Sequence, residues 1–153
     1  MSGLLCYTTS ISADKSISEI IGMLSRSKAR QILQDFDGSG NVTAISFRKQ
    51  TNFGEMSFRL PIDVPAVHQV LRNQYQERKV PRSLANDAGH ARRVAWRIVR
   101  NWIEAQLALI EVGMVKVEQV FLPYMQNPAG QTVFEVMEES HFQGLALPSP
   151  AAQ

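Results

Sequence analysis

A chain of 153 residues suits one domain, large enough to bury a core without disulfide or metal staples. With 44% hydrophobic and 20% charged residues, its composition is that of a globular domain, neither a disordered chain nor a collagen-like one. The formal net charge of +2 conceals a strong asymmetry. Residues 72–103 set eight Lys/Arg against two Asp/Glu, a net of +6, whereas residues 104–153 set Lys116 against six Glu, a net of −5. A basic middle and an acidic end attract one another or face two different partners.

The single Cys6 excludes an internal disulfide, fits a reducing cytoplasm, and reads as a small buried hydrophobe rather than a nucleophile. The opening MSGLLCYTTS lacks the basic and apolar regions of a signal peptide. The longest near-apolar stretch, Leu107 to Met114, is broken by Glu111 and too short to cross a bilayer. A cytoplasmic protein without a membrane segment is expected.

Taken in order, LLCYTTSI is rich in β-branched and aromatic residues and predicts a strand. A helix follows from about Ser12, with Ile17, Ile20, Ile21, Leu24, Ala29, Ile32 and Leu33 at three- and four-residue steps. Ser16 and Glu19 have capping-box spacing, an alternative start. In DFDGSGN, Asp35, Asp37, Ser39 and Gly40 match positions one, three, five and six of an EF-hand loop, with Val42 at its apolar eighth. The twelfth position is Ser46, not the bidentate Glu that completes a calcium cage, so a helix-to-strand turn is the reading. Val42 to Lys49 and Glu55 to Leu60 alternate as two strands joined by the hairpin turn TNFG. Asp63 and Pro65 open a helix with an apolar stripe of Val67, Val70, Leu71 and Tyr75. QYQERKVPR, residues 74–82, predicts a mobile basic loop.

The spine is one long helix from a cap at Asn86 or Asp87 to Gly113, about 27 residues and roughly 40 Å. Its apolar residues surround it and leave a narrow polar stripe of Arg93, Arg97, Arg100, Asn101, Glu104 and Glu111, so burial on most sides is expected. Val115 to Leu122 reads as a strand ending at Pro123, NPAGQ as a turn, and TVFEVMEE as a last strand or short helix. The prediction is one α+β domain over residues 1–146, with a small, mostly antiparallel sheet packed against a long central helix and shorter helices, and a flexible tail over 147–153.

The block AWRIVRNWIEAQLALIEVGM, followed by FLPYM, resembles a group of small proteins encoded by phages, prophages and related mobile elements. The resemblance covers about Ala91 to Met125, roughly a quarter of the chain. It implies a phage-related intracellular setting, and the group has no assigned chemistry that would give any residue a catalytic role.

Arg93, Arg97 and Arg100 fall at i, i+4 and i+7 on one helical face, with Arg92 and His90 beside them. Guanidinium forks suit phosphate oxygens, and Arg78, Lys79 and Arg82 with Arg72 precede them in the chain. These residues predict a phosphate-contacting nucleic-acid surface, single strands included. Internal pairing with Glu104, Glu111 and the acidic end, or a protein partner, is the competing reading. Trp96 and Trp102 read as core, and Phe53 as the more exposed aromatic. His68, His90 and His141 lack metal-ligand spacing, Glu138 and Glu139 lack nearby partners, and no nucleophile motif is present. No cofactor, metal or catalytic residue is therefore expected. FLPYM and the apolar excess of the long helix leave room for a homo-oligomer.

Overall fold

The computed structural model describes residues 3–149. The chain is α+β: a four-stranded antiparallel meander, in the order β1-β2-β3-β4, with helices against one face. Ser12 caps α1 (Ala13–Arg26), its hydroxyl accepting from Lys15 N. Ser16, the alternative start, is instead fully buried inside that helix. The helix stops at Arg26, seven residues short of the apolar pattern that predicts it. Ala29 N reaches back to the Leu24 carbonyl and Lys28 takes φ +68°, the left-handed residue of a Schellman ending. Ile32 and Leu33 then fall in β1 (Gln31–Phe36) and point to opposite faces, so the last apolar steps of the expected helix belong to a strand.

DFDGSGN joins two strands rather than a helix to a strand, because β1 returns directly as β2 (Val42–Thr51). The Asp37 carboxylate accepts from Ser39 N at 2.8 Å and Asn41 N at 2.9 Å. These amides hold its pKa below the usual carboxylate value. Ser46, twelfth in the EF-hand frame, lies mid-strand opposite Leu33 and Arg59. The turn at Thr51 to Gly54 forms as expected and leads into β3 (Gly54–Arg59), with Phe47 opposite Phe58.

The inner face of the sheet carries Ile32, Ile45, Phe47, Met56 and Phe58 against Ile17, Ile20 and Leu24 of α1. Trp96, Val99 and Ile103 of α4 (Ala88–Glu111) complete that core. Full burial of side chains of this size is worth about 1.5–3 kcal/mol each. A second core joins Leu71 of α2 (Val64–Gln76), Val80, Ala85 of α3 (Arg82–Ala85) and Ala91 of α4. Because α4 enters both, it ties the two cores together.

Two predicted strands are absent. LLCYTTSI forms turns, with Cys6 at φ +64°, because its backbone is engaged by helix side chains. Leu4 N donates to Gln74 Oε1 of α2, and the Tyr7 carbonyl meets His90 Nε2 of α4. Val115 to Leu122 contains α5 (Val117–Phe121), which runs into a 3-10 turn, Leu122–Tyr124. Val117, Val120, Phe121 and Tyr124 sit at helical spacing, and α5 delivers Phe121 edge-on to Phe47 at 5.5 Å and to Trp102 at 5.7 Å. The short β4 (Met125–Gln126) pairs with β3, the NPAGQ turn follows, and TVFEVMEE resolves to a helix, α6 (Val133–Glu139). The predicted tail from residue 147 begins with Leu147 exposed, and its residues 150–153 lie outside the described residues.

Residues 74–82 are more ordered than a loop prediction allows. The α2 helix persists to Gln76, Lys79 N bonds to the Gln74 carbonyl, Arg78 takes φ +61°, and Val80 is buried. Helix α4 ends the same way, with Gly113 at φ +80° in the position that Lys28 and Arg78 occupy elsewhere. A residue with a Cβ costs roughly 1–2 kcal/mol in that conformation. Lys28→Gly and Arg78→Gly should therefore each raise unfolding stability by about 1 kcal/mol, and Gly113→Ala should lower it by a similar amount, read from urea midpoints.

Candidate nucleic-acid interface

Of the three arginines expected on one face of α4, Arg97 and Arg100 turn to α1, whereas Arg93 pairs at the start of its own helix. Arg97 Nη1 and Arg100 Nε donate to the same oxygen, Glu19 Oε2, at 3.0 and 2.9 Å. Arg100 also pairs with Glu104 and donates to Asn101 Oδ1. Arg97 is only 8% exposed, and its Nε and Nη2, like Ser16 Oγ and Trp96 Nε1, are buried without a protein partner. Burial works to raise the Glu19 pKa, but the Arg100 hydrogen bond and the Arg97 and Arg100 charges outweigh it and hold the carboxyl below its usual value.

Arg92 and Arg93, half-buried, flank this clamp. Arg92 donates to the Val42 carbonyl at 3.3 Å and lies 3.8 Å from Asp14. Arg93 pairs with Asp87, the α4 N-cap, at 3.5 Å and with His90 Nδ1 at 3.3 Å. The His90 ring thus bridges the Tyr7 carbonyl through Nε2 and the Arg93 guanidinium through Nδ1. The Asp87 carboxyl, accepting from His90 N and facing Arg93, is also held below its usual pKa.

Of the partners expected for these arginines, Glu104 is one and Glu111 is not. Asp14, Glu19 and Asp87 take the rest. The pairing with α1 had no marker in the sequence beyond the two carboxylates of an amphipathic helix, Asp14 and Glu19. Glu19 reads as a capping residue only while Ser16 is taken for the cap.

The remaining candidates sit apart from the clamp. Lys79 pairs with Glu77 at 2.6 Å. Arg78 and Arg82 are exposed, as is Arg72 on α2, and among the described residues none of the three lies within ion-pair distance of a carboxylate. Tyr75, 37% exposed, stands in the same helix end. The buried Leu71, Val80 and Ala85 anchor this segment, so its cations project from a fixed frame. Sequence reasoning placed Tyr75 in the apolar stripe of α2 and missed its position among arginines.

A separate groove of about 710 Å³ lies between the end of α1, β2 and α4, with Arg26, Lys28 and Lys49 facing Glu104 and Glu111. Burial and the Lys28 charge lower the Lys49 pKa, with Glu118 opposing. Its charges of both signs make it a poor anion site. Trp96 is core, Trp102 lies in the aromatic cluster with Phe121 and Tyr124, and Phe53 is 76% exposed. Among the described residues no three His, Cys, Asp or Glu converge on a metal position, and no helix is long and apolar enough to cross a membrane. No protein-family model, curated protein or solved structure matches the chain.

The clamp makes two energetic expectations. Glu19→Gln strands the buried Arg97 charge and should destabilise by about 2–4 kcal/mol, whereas Arg97→Met should cost less, since it removes the charge that needs compensating. Both are read by chemical denaturation. Glu19, Asp37 and Asp87 all titrate lower when folded, so their contribution is complete above the usual carboxylate pKa and is lost as pH falls through the folded values. Urea midpoints should hold steady near neutrality and drop below about pH 4.5, and Glu19→Gln should flatten that acid limb.

Proposed function

We propose that this protein is a non-enzymatic nucleic-acid-binding accessory protein of a phage or related mobile element. It meets phosphates through the end of α2 and the turn into α3 rather than through the face of α4. The observation that carries the reading is the trio Arg72, Arg78 and Arg82, exposed, without carboxylate partners among the described residues, beside a buried anchor. Arg92, Arg93, Arg97 and Arg100 have protein partners, so any phosphate would have to displace a formed ion pair to reach them. Tyr75 beside the trio offers a stacking surface for an unpaired base, which favours single strands.

A second reading, a protein-binding module, is favoured by the acidic and apolar surface of α6 and its neighbour turn. There Leu122, Phe134 and Val136 are exposed beside Glu138 and Glu139.

Fluorescence anisotropy with labelled single- and double-stranded oligonucleotides across a salt series tests the proposal. Three phosphate contacts predict a log–log salt slope of about −2 for single strands. Arg78→Gly with Arg82→Ala should weaken binding and make that slope shallower by about 0.7 per cation removed, while Arg97→Met leaves it unchanged. Absence of binding at low salt overturns the nucleic-acid reading, and an equal loss in Arg97→Met would return the interface to α4.

A further inference from the structure

The two edges of the sheet are treated differently. At the far edge, β4 is only two residues long, and Gln126 is bridged by Thr132 from the returning chain, which shields it. The near edge is β1, six residues with no strand on its outer side among the described residues. Its sequence, QILQDF, holds one charge, Asp35, and none of the Lys, Arg or Pro that blunt many exposed edges. The register shift at Asp35/Phe36 affects only its end. Leu33 and Phe36 are 50% and 59% exposed along it. Gln34, on the helix-covered side of the sheet, is exposed as well, so the helical layer does not overhang this edge.

We propose that β1 is a self-association edge, on which β1 of a second copy of this chain adds antiparallel to form a continuous eight-stranded sheet. A two-fold axis through Leu33 makes the segment complementary to itself. Leu33 meets Leu33 of the second copy on the open face. Gln31 then stands opposite Asp35 of that copy, twice over, so that each side-chain amide can donate to a carboxylate that among the described residues has no ion-pair partner. Ile32 and Gln34 face each other across the covered side. Because both molecules keep their helices on the same side of the joined sheet, the exposed Gln34 side leaves room for the second copy.

Sedimentation velocity across a dilution series, with crosslinking by cysteine, tests this. Wild-type protein should sediment as a concentration-dependent dimer. Leu33→Lys, a substitution on a half-exposed side chain, should be monomeric with an unchanged far-ultraviolet circular dichroism spectrum. In a Cys6→Ser background, Leu33→Cys should oxidise to a covalent dimer, because opposed Cα atoms lie about 4.5–5.5 Å apart. Gln31→Cys should not, since its counterpart is about 13 Å away along the paired strands. A wild-type monomer at every concentration, or crosslinking as efficient at position 31 as at 33, would overturn the proposal. Neither result bears on oligonucleotide affinity at the α2–α3 turn, so the two readings fail separately.

Discussion

One carboxylate, that of Glu19, organises the helical layer of this protein. It accepts from both Arg97 and Arg100 and so fixes the rotation and the offset of α1 against α4. An arginine as buried as Arg97 is costly unless its charge is answered, and the answer available here is on another helix. With α1 set against α4, Ile17, Ile20 and Leu24 meet Trp96, Val99 and Ile103 above the inner face of the sheet. The same α4 carries Ala91 into the smaller core with Leu71, Val80 and Ala85. Loss of the clamp would therefore loosen the α1–α4 contact over the larger core.

The clamp also decides which charges face water. A run of net charge +6 in the sequence would make a strongly basic surface if every member were exposed. Four of its arginines are drawn to Asp14, Glu19, Asp87 and Glu104, and what remains free is gathered at the end of α2 and the turn beyond it. A buried ion pair of this kind is costly to break from one side, because the charge left behind has no partner. A small set of cations that have no carboxylate partner among the described residues, Arg72 on α2 with Arg78 and Arg82 after it, is a more selective feature than a long basic stripe.

Much of the fold was legible along the chain, for local reasons. The caps Ser12, Asp63 and Asp87, the alternation in β2 and β3, the Thr51 to Gly54 turn and the glycine after α4 each act within a few residues. The errors share a different origin. Ile32 and Leu33 continue the spacing of α1 but lie beyond a Schellman ending built on Lys28, a residue that seldom marks one. The opening LLCYTTSI has strand composition, yet Gln74 and His90, about seventy and eighty residues away, claim its backbone groups. Val115 to Leu122 was read by β-propensity although its apolar residues stand at helical spacing.

The sequence by itself determined the α+β class, the central helix, the hairpin and the identity of the basic residues, because propensity, capping and periodicity act between near neighbours. Only the tertiary structure decided which half of the long helix is buried. Its arginine-rich first half lies inside, with Trp96 and Arg97 enclosed, whereas in its apolar second half Leu107, Leu109 and Ile110 are only half-buried and Val112 and Met114 beyond its end are 66% and 73% exposed. Charge count and hydropathy describe what a side chain prefers. Whether an arginine reaches a phosphate or a glutamate depends on which helix packs beside it, and that is a contact between residues 78 positions apart.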